Sequence, residues 1–510
     1  MKRFTARYHA RRMRSRTVLL TLTAALAASL LTAACDSGNG GSNGAPEAPV
    51  TVERPRDDAL GWEDCSAETE CATLDVPLDY DDPDGETIGI ALARRRALGG
   101  TDEWAGVLLV NLGGPGATGI DVAFEAEYIF PRELLERFDI VGFDPRGIGE
   151  SAPVDCGDAF FEPIPEDWTP EDATEQAAII ASAREFAEAC LERNGDVVPH
   201  MNTMNTARDL DRIREALGVD RISYLGKSYG TVLGALYADL YPERVRAFIL
   251  DGAVDMAAPF EQYHTEQARS FEATLGAFLA RCAELRTCDL HARGDPEAAY
   301  DELLGRLEER SLPAPRYEDD DVRLTQADAQ SAVVSALYSE SAWPQLALAL
   351  VEALEDEDGS LLLDLAYGAP EDGGSQFSGA NAIIFCADRV APRTAAAYHE
   401  LSEELRETAP RVGATVAYWY PVCAFLPEPR EPLDGAWDAK GAPAILVVGA
   451  TGDAATPYAW SERVAERLES GHLLTYEGHD HTAAFSAVST CVDEAALRYL
   501  LELTLPEADC

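Results

Sequence analysis

The sequence predicts an α/β fold: a mostly parallel central sheet with a large helical segment inserted before the last strands. Three features carry that expectation. Short apolar runs occur without polar alternation. Helical periodicity fills the gaps between them. A long middle stretch loses the runs, which then return. Strands buried on both faces read as continuous apolar runs, and strands that alternate with helices build parallel sheets.

In chain order, GVLLVNLGG (106–114), FDIVGFD (138–144), RISYLG (221–226) and VRAFILDG (245–252) read as buried strands. Within NTARDLDRIREALGVD (205–220), Ala207, Leu210, Ile213 and Leu217 share one helical face, and Gly218 is a suitable stop. From 255 to 433 helical patterns dominate, as in EQYHTEQARSFEATLGAFLARCAEL and SAWPQLALALVEALEDEDG, with acidic clusters such as Glu318-Asp319-Asp320-Asp321. APAILVVGATGD (442–453) and HLLTYEGHDHT (472–482) restore strands, and EAALRYLLEL closes with a helix. The expected division is a first core part at 59–254, a helical insertion at 255–433 and a second core part at 434–510.

A chain of 510 residues with 46% apolar content is long enough to bury a large core. It carries 90 acidic against 41 basic residues, and its lysines are Lys2, Lys227 and Lys440. Phosphate binding needs clustered Lys and Arg, so nucleic acid is excluded as an expected partner. Such a surface suits solubility and a salty medium. The opening MKRFTARYHARRMRSR is basic and lacks acids; an apolar run and then Cys35 follow, all features of an export signal. LLTAAC resembles a bacterial lipobox, with Thr32 where Leu is usual. The expectation is a lipoprotein signal peptide at 1–34, lipidation of Cys35, a Gly/Ser/Asn/Pro-rich tether at 35–58, and a catalytic body outside the cytoplasm, held to the membrane by the lipid. Processing leaves 34 basic against 90 acidic residues. Ten further cysteines suit disulfides in an exported chain. Sequence does not dictate connectivity; proximity suggests Cys65–Cys71, Cys156–Cys190, Cys282–Cys288, Cys386–Cys423 and Cys491–Cys510.

The chemistry centres on Gly226-Lys227-Ser228-Tyr229-Gly230, a Gly-x-Ser-x-Gly pattern between an expected strand and an expected helix. That setting suits a strained turn that lifts a serine nucleophile above a sheet. Serine needs a base oriented by a carboxylate. Asp453 follows a late strand; His479 and His481 both follow the last one, and either could serve. Oxyanion donors are expected from the Tyr229 amide and from the glycine-rich NLGGPG loop, with Gly114 as the candidate. No metal or organic cofactor is expected.

Together, GGPG, FDPRGIGES, NTARDLDRIREALG, YLGKSYGTVLGALYADLYPERV, FILDGAVD and GDAATPYAW resemble secreted α/β-hydrolase peptidases of the proline iminopeptidase clan, closest to the tripeptidyl aminopeptidase-like branch of actinobacterial exported proteins. The resemblance implies a Ser228–Asp453–His481 triad. Thr482 after His481 matches the family's Gly-His-Gly/Thr pattern, though Asp480 stands where Gly is usual, and His479 is the alternative. Leu112 stands where proline iminopeptidases carry His. Asp144 and Arg146 read as a structural turn or ion pair. The resemblance also implies that the insertion is a lid admitting peptides with free N-termini. A lid acid would pair with the peptide ammonium, and Asp388 is the candidate. An esterase or lipase using the same triad is the alternative activity.

Overall fold

The computed structural model describes residues 60–156, 167–317, 322–368 and 379–510. The expected signal peptide, Cys35, the tether and the 318–321 acidic cluster lie outside the described residues. The described strands are β1 (Glu63–Asp64), β2 (Glu70–Pro77), β3 (Thr87–Arg95), β4 (Gly106–Asn111), β5 (Phe138–Phe143), β6 (Ile222–Lys227), β7 (Val245–Asp251), β8 (Leu312–Pro313), β9 (Arg323–Leu324), β10 (Ile445–Ala450) and β11 (Gly471–Tyr476). β8 and β9 form a separate ribbon; the other nine form one sheet, ordered β1-β2-β3-β5-β4-β6-β7-β10-β11. From β5 to β11 all neighbours are parallel. β1, β2 and β3 extend the β5 edge in antiparallel pairing.

The six apolar runs became β4–β7, β10 and β11 because alternate residues enter two different cores. Val107 and Leu109 of β4 pack in the core that takes Ala207, Leu210 and Ile213 from the helix Thr203–Ala216. Leu108 and Val110 pack on the other face, with Val492, Ala496 and Leu500 of the helix Thr490–Glu502. Gly218 takes φ 69 just past the first of these helices, as its role of stop requires. β2 and β3 escape a search for apolar runs because charge lies inside them. Arg94 and Arg95 of β3 are buried through ion pairs to Glu70 and Glu68.

β5 and β6 flank β4, so the chain leaves β4 towards one side and returns on the other. Loops at the carboxyl ends of β4 and β6 therefore line a crevice at a topological switch point, where α/β sheets bind ligands. The segment between β7 and β10 is mainly helical and includes Phe260–Glu284, Trp343–Glu355, Ala380–Asp388 and Ala395–Thr408. Phe271, Leu275, Phe278 and Leu279 give the first of these one continuous buried stripe. Five disulfides form among the described residues, and they are the five neighbour pairings. Cys386–Cys423 joins two parts of the insertion, and Cys491–Cys510 pins the C-terminal end.

Candidate active site

β6 ends at Lys227 and the helix Gly230–Leu240 begins three residues later. Between them Ser228 takes φ 53, a left-handed conformation that L-residues adopt only when the surroundings enforce it. Its N–H donates to the Asp251 carbonyl (2.8 Å), and its carbonyl accepts from the Thr231 N–H (2.9 Å) and hydroxyl (2.6 Å). The flanking glycines are sterically required. A Cβ on Gly226 would lie 2.4 Å from the Gly230 carbonyl oxygen, and one on Gly230 2.5 Å from that of Asn111. Ser228 itself stays half-buried and reachable.

Asn111 at the end of β4 is in register with Gly226 of β6, which sets the NLGGPG loop against this turn. The contact residue is Gly113, with φ 89 and room for no Cβ: one would meet the Lys227 carbonyl oxygen at 2.4 Å and the Tyr229 nitrogen at 2.7 Å. Its N–H is occupied by Asn111 Oδ1 at 3.0 Å. Among the described residues, the N–H groups of Gly114 and Tyr229 donate to no protein acceptor. Both could serve a developing oxyanion.

Asp453 lies three residues beyond β10 and is buried. Its Oδ1 accepts from the N–H groups of Ala455 (2.8 Å) and Thr456 (2.9 Å), and its Oδ2 from the Thr456 hydroxyl (2.7 Å). His481 Nδ1 donates to the same carboxylate at 2.9 and 3.0 Å. That bond leaves Nε2 free, buried and without a partner among the described residues. The imidazole is held from two further sides. Its backbone N–H donates to the Tyr338 carbonyl (2.8 Å), and the Tyr338 ring meets it edge-on at 5.0 Å. Gly252 passes close by; a Cβ there would sit 3.3 Å from His481 Cε1. His479 faces elsewhere: its Nδ1 pairs with Glu340 (2.8 Å), and its ring lies 5.3 Å from that of Trp343.

The Asp388 expectation needs correction. Asp388 is fully buried and presents nothing to a peptide ammonium. One oxygen accepts from the Thr203 N–H (2.9 Å), the other from the Thr203 hydroxyl and the Tyr229 hydroxyl (both 2.6 Å). Burial, outweighing these hydrogen bonds, pushes its pKa up to about 6. The reason is topological: Ala380–Asp388, a helix of the insertion, ends against Thr203 and the turn that carries Tyr229. Asp144 and Arg146 are structural, as expected. Asp144 accepts from the Gly119, Ile120 and Glu150 amides, and Arg146 forms a fully buried pair with Asp209 (2.6 Å).

Sequence reasoning missed Thr456 and Tyr338. Thr456 had a signal, since Asp followed three residues later by Thr invites a side-chain–backbone turn. Tyr338 had none, as it reaches His481 only through the seating of the insertion.

The alpha/beta hydrolase fold model matches residues 106–485. The chain belongs to the α/β hydrolase fold family. This hydrolase is 36% identical over 452 residues to the serine protease Hip1 of Mycobacterium tuberculosis, a match covering 86% of each chain. It is 30% identical to a tripeptidyl aminopeptidase of Streptomyces coelicolor, over 89% of this hydrolase and 86% of that protein. Carboxylesterase B of Mycobacterium tuberculosis is 34% identical, with 91% of each chain covered. This hydrolase is a serine hydrolase of the peptidase kind.

Proposed function

We propose that this hydrolase is an exported serine exopeptidase that releases short peptides, tripeptides above all, from the free N-termini of longer ones. The observation that carries the reading is the Asp453–His481 pair, with Nε2 left without a partner among the described residues, set against Gly252, whose chain neighbour Asp251 holds the strained, half-buried Ser228 through its carbonyl. Ser228 Oγ attacks the scissile carbonyl while His481 Nε2 takes its proton. Asp453 holds Nδ1–H and stabilises the imidazolium. The Tyr229 and Gly114 amides bind the oxyanion. His481 then protonates the leaving amine, and water hydrolyses the acyl-enzyme by the reverse sequence. The insertion acts as a lid over this site. The relative named tripeptidyl aminopeptidase supports the exopeptidase reading. Five disulfides among the described residues support an oxidising compartment, and hence export; anchoring through Cys35 rests on the LLTAAC sequence alone.

Mass spectrometry of products from matched peptides with free and acetylated N-termini tests this reading. Stepwise loss of tripeptides from the free peptides only is expected. Equal cleavage of acetylated peptides would overturn it. The carboxylesterase relative favours a second reading, an esterase on the same residues. Turnover of simple acyl esters with no peptide cleavage would establish that instead. Ser228→Ala should lower turnover by roughly 10⁶-fold in either case.

A further inference from the structure

We infer that Asp480 is a positioning residue for His481, clamping the loop that carries the base to the inserted helical segment. This rests on the reading of His481 as the base. Asp480 is buried in the loop after β11. Its Oδ1 accepts from the Ser339 hydroxyl (2.6 Å) and the Glu340 N–H (3.1 Å), and its Oδ2 from the Tyr476 hydroxyl (3.1 Å). The flanking residues grip the same stretch of the insertion. His481 N–H donates to the Tyr338 carbonyl, and His479 pairs with Glu340, which also holds Arg281 (2.6 Å). Three consecutive loop residues are thus matched to three consecutive residues of the insertion.

The loop needs such a hold. It lies past the end of β11, so no strand ladder supports it, and Thr482 takes φ 71. On its far side the Asp251 carboxylate accepts from the Ala483 and Ala484 amides (2.8–3.1 Å). Asp480 is the corresponding anchor on the insertion side. The imidazole between them is set by Asp453 at one nitrogen and by the loop backbone at its root. A misplacement of about 1 Å at a reacting group costs on the order of 10²-fold in rate. The charged and titratable groups around the clamp are Glu340, Arg281, His479, Tyr476 and Tyr338, with Asp453 beyond the imidazole and Asp251 beneath the following residues. Seating of the insertion and alignment of the base are therefore one event.

The test measures kcat and KM across pH on a chromogenic free-amine peptide reporter, for the full protein and for Asp480→Asn, Ser339→Ala, the double variant, Ser228→Ala and His481→Ala. Ser339→Ala removes one hydroxyl from a half-buried loop, so it remains informative should Asp480→Asn fold poorly. Asp480→Asn is expected to lose about ten-fold or more in kcat with little change in KM. Its acid limb should move to lower pH, because a looser His481–Asp453 pair stabilises the imidazolium less. Ser339→Ala should lose less in the same direction, and the double variant should be no worse than Asp480→Asn. Wild-type kcat and pH profile in Asp480→Asn, with Ser228→Ala and His481→Ala inactive, would overturn the clamp alone. Retained activity in His481→Ala would overturn the base assignment and the clamp with it.

Discussion

Ser228 and His481 show how single residues carry this site. The positive φ at Ser228 is tolerated because Asp251 and Thr231 hold the backbone on both sides, and because Gly226 and Gly230 leave room for strand and helix to cross. Gly230→Ala should therefore abolish activity and destabilise the fold, since the added methyl would press on the Asn111 backbone, which cannot yield as a flexible side chain would. Activity and thermal unfolding measured on one preparation check this together. The two histidines of Gly-His-Asp-His-Thr differ in partner, not in chemistry. His481→Ala removes the nitrogen paired with Asp453, and turnover should fall by several orders of magnitude. His479→Ala removes a half-exposed contact to Glu340 and should cost less than about ten-fold, as surface ion pairs contribute little. Steady-state kinetics on the two variants separate the roles.

At the scale of elements, the helix Ala380–Asp388 braces the nucleophile turn from beneath. Its last residue joins Thr203, at the start of another helix, to the Tyr229 side chain, whose backbone amide is the proposed oxyanion donor. This brace is sensitive to pH. With its pKa raised by burial to about 6, Asp388 keeps its proton in the folded state where the unfolded chain has already released it. The stability contributed by the protonated form is fully present below the ordinary carboxylate range, and it is lost as pH rises through about 6. Asp388→Asn mimics the protonated form and does not titrate. Relative to wild type, it should gain on the order of 2–3 kcal/mol in stability between acid and neutral pH. Denaturant unfolding at both ends of that window reads the difference. The helix Phe260–Glu284 plays a matching part on the other arm. Its Ser270 and Thr274 hydroxyls donate to the carbonyls of Asp453 and Gly452, so the insertion holds the backbone at Asp453 as well as that at His481.

For the whole molecule, 90 acidic residues against 41 basic ones leave strong self-repulsion in the folded state. Added salt screens it, since the Debye length falls from about 10 Å at 0.1 M to about 3 Å at 1 M. The melting temperature should rise across that range, and a flat response would show that the repulsion is already neutralised by pairing.

The sheet was legible because the parallel strands β4, β5, β6, β7 and β10 are buried on both faces and show this as mainly apolar runs, while the edge strand β11 is only part-buried. The serine turn was legible because its sterics admit only glycine at the two positions that flank it, 226 and 230. Asp453 was legible from its place after a late strand. The antiparallel strands β2 and β3 were not, since Glu70 of β2 and the buried, ion-paired Arg94 and Arg95 of β3 place charge within them. Asp388 was singled out from its neighbourhood in the chain, but its burial beneath Tyr229 followed from how two helices pack. By itself, the sequence determined the strand order of events along the chain, the strained serine, the acid, and a choice between two histidines two residues apart. Tertiary structure alone pairs His481, and not His479, with Asp453, and it alone places the contacts of Tyr229 and Asp480. Local patterns record what neighbours in sequence must do. Asp453 meets His481 across 28 residues and Ser339 meets Asp480 across 141, and only packing brings either pair together.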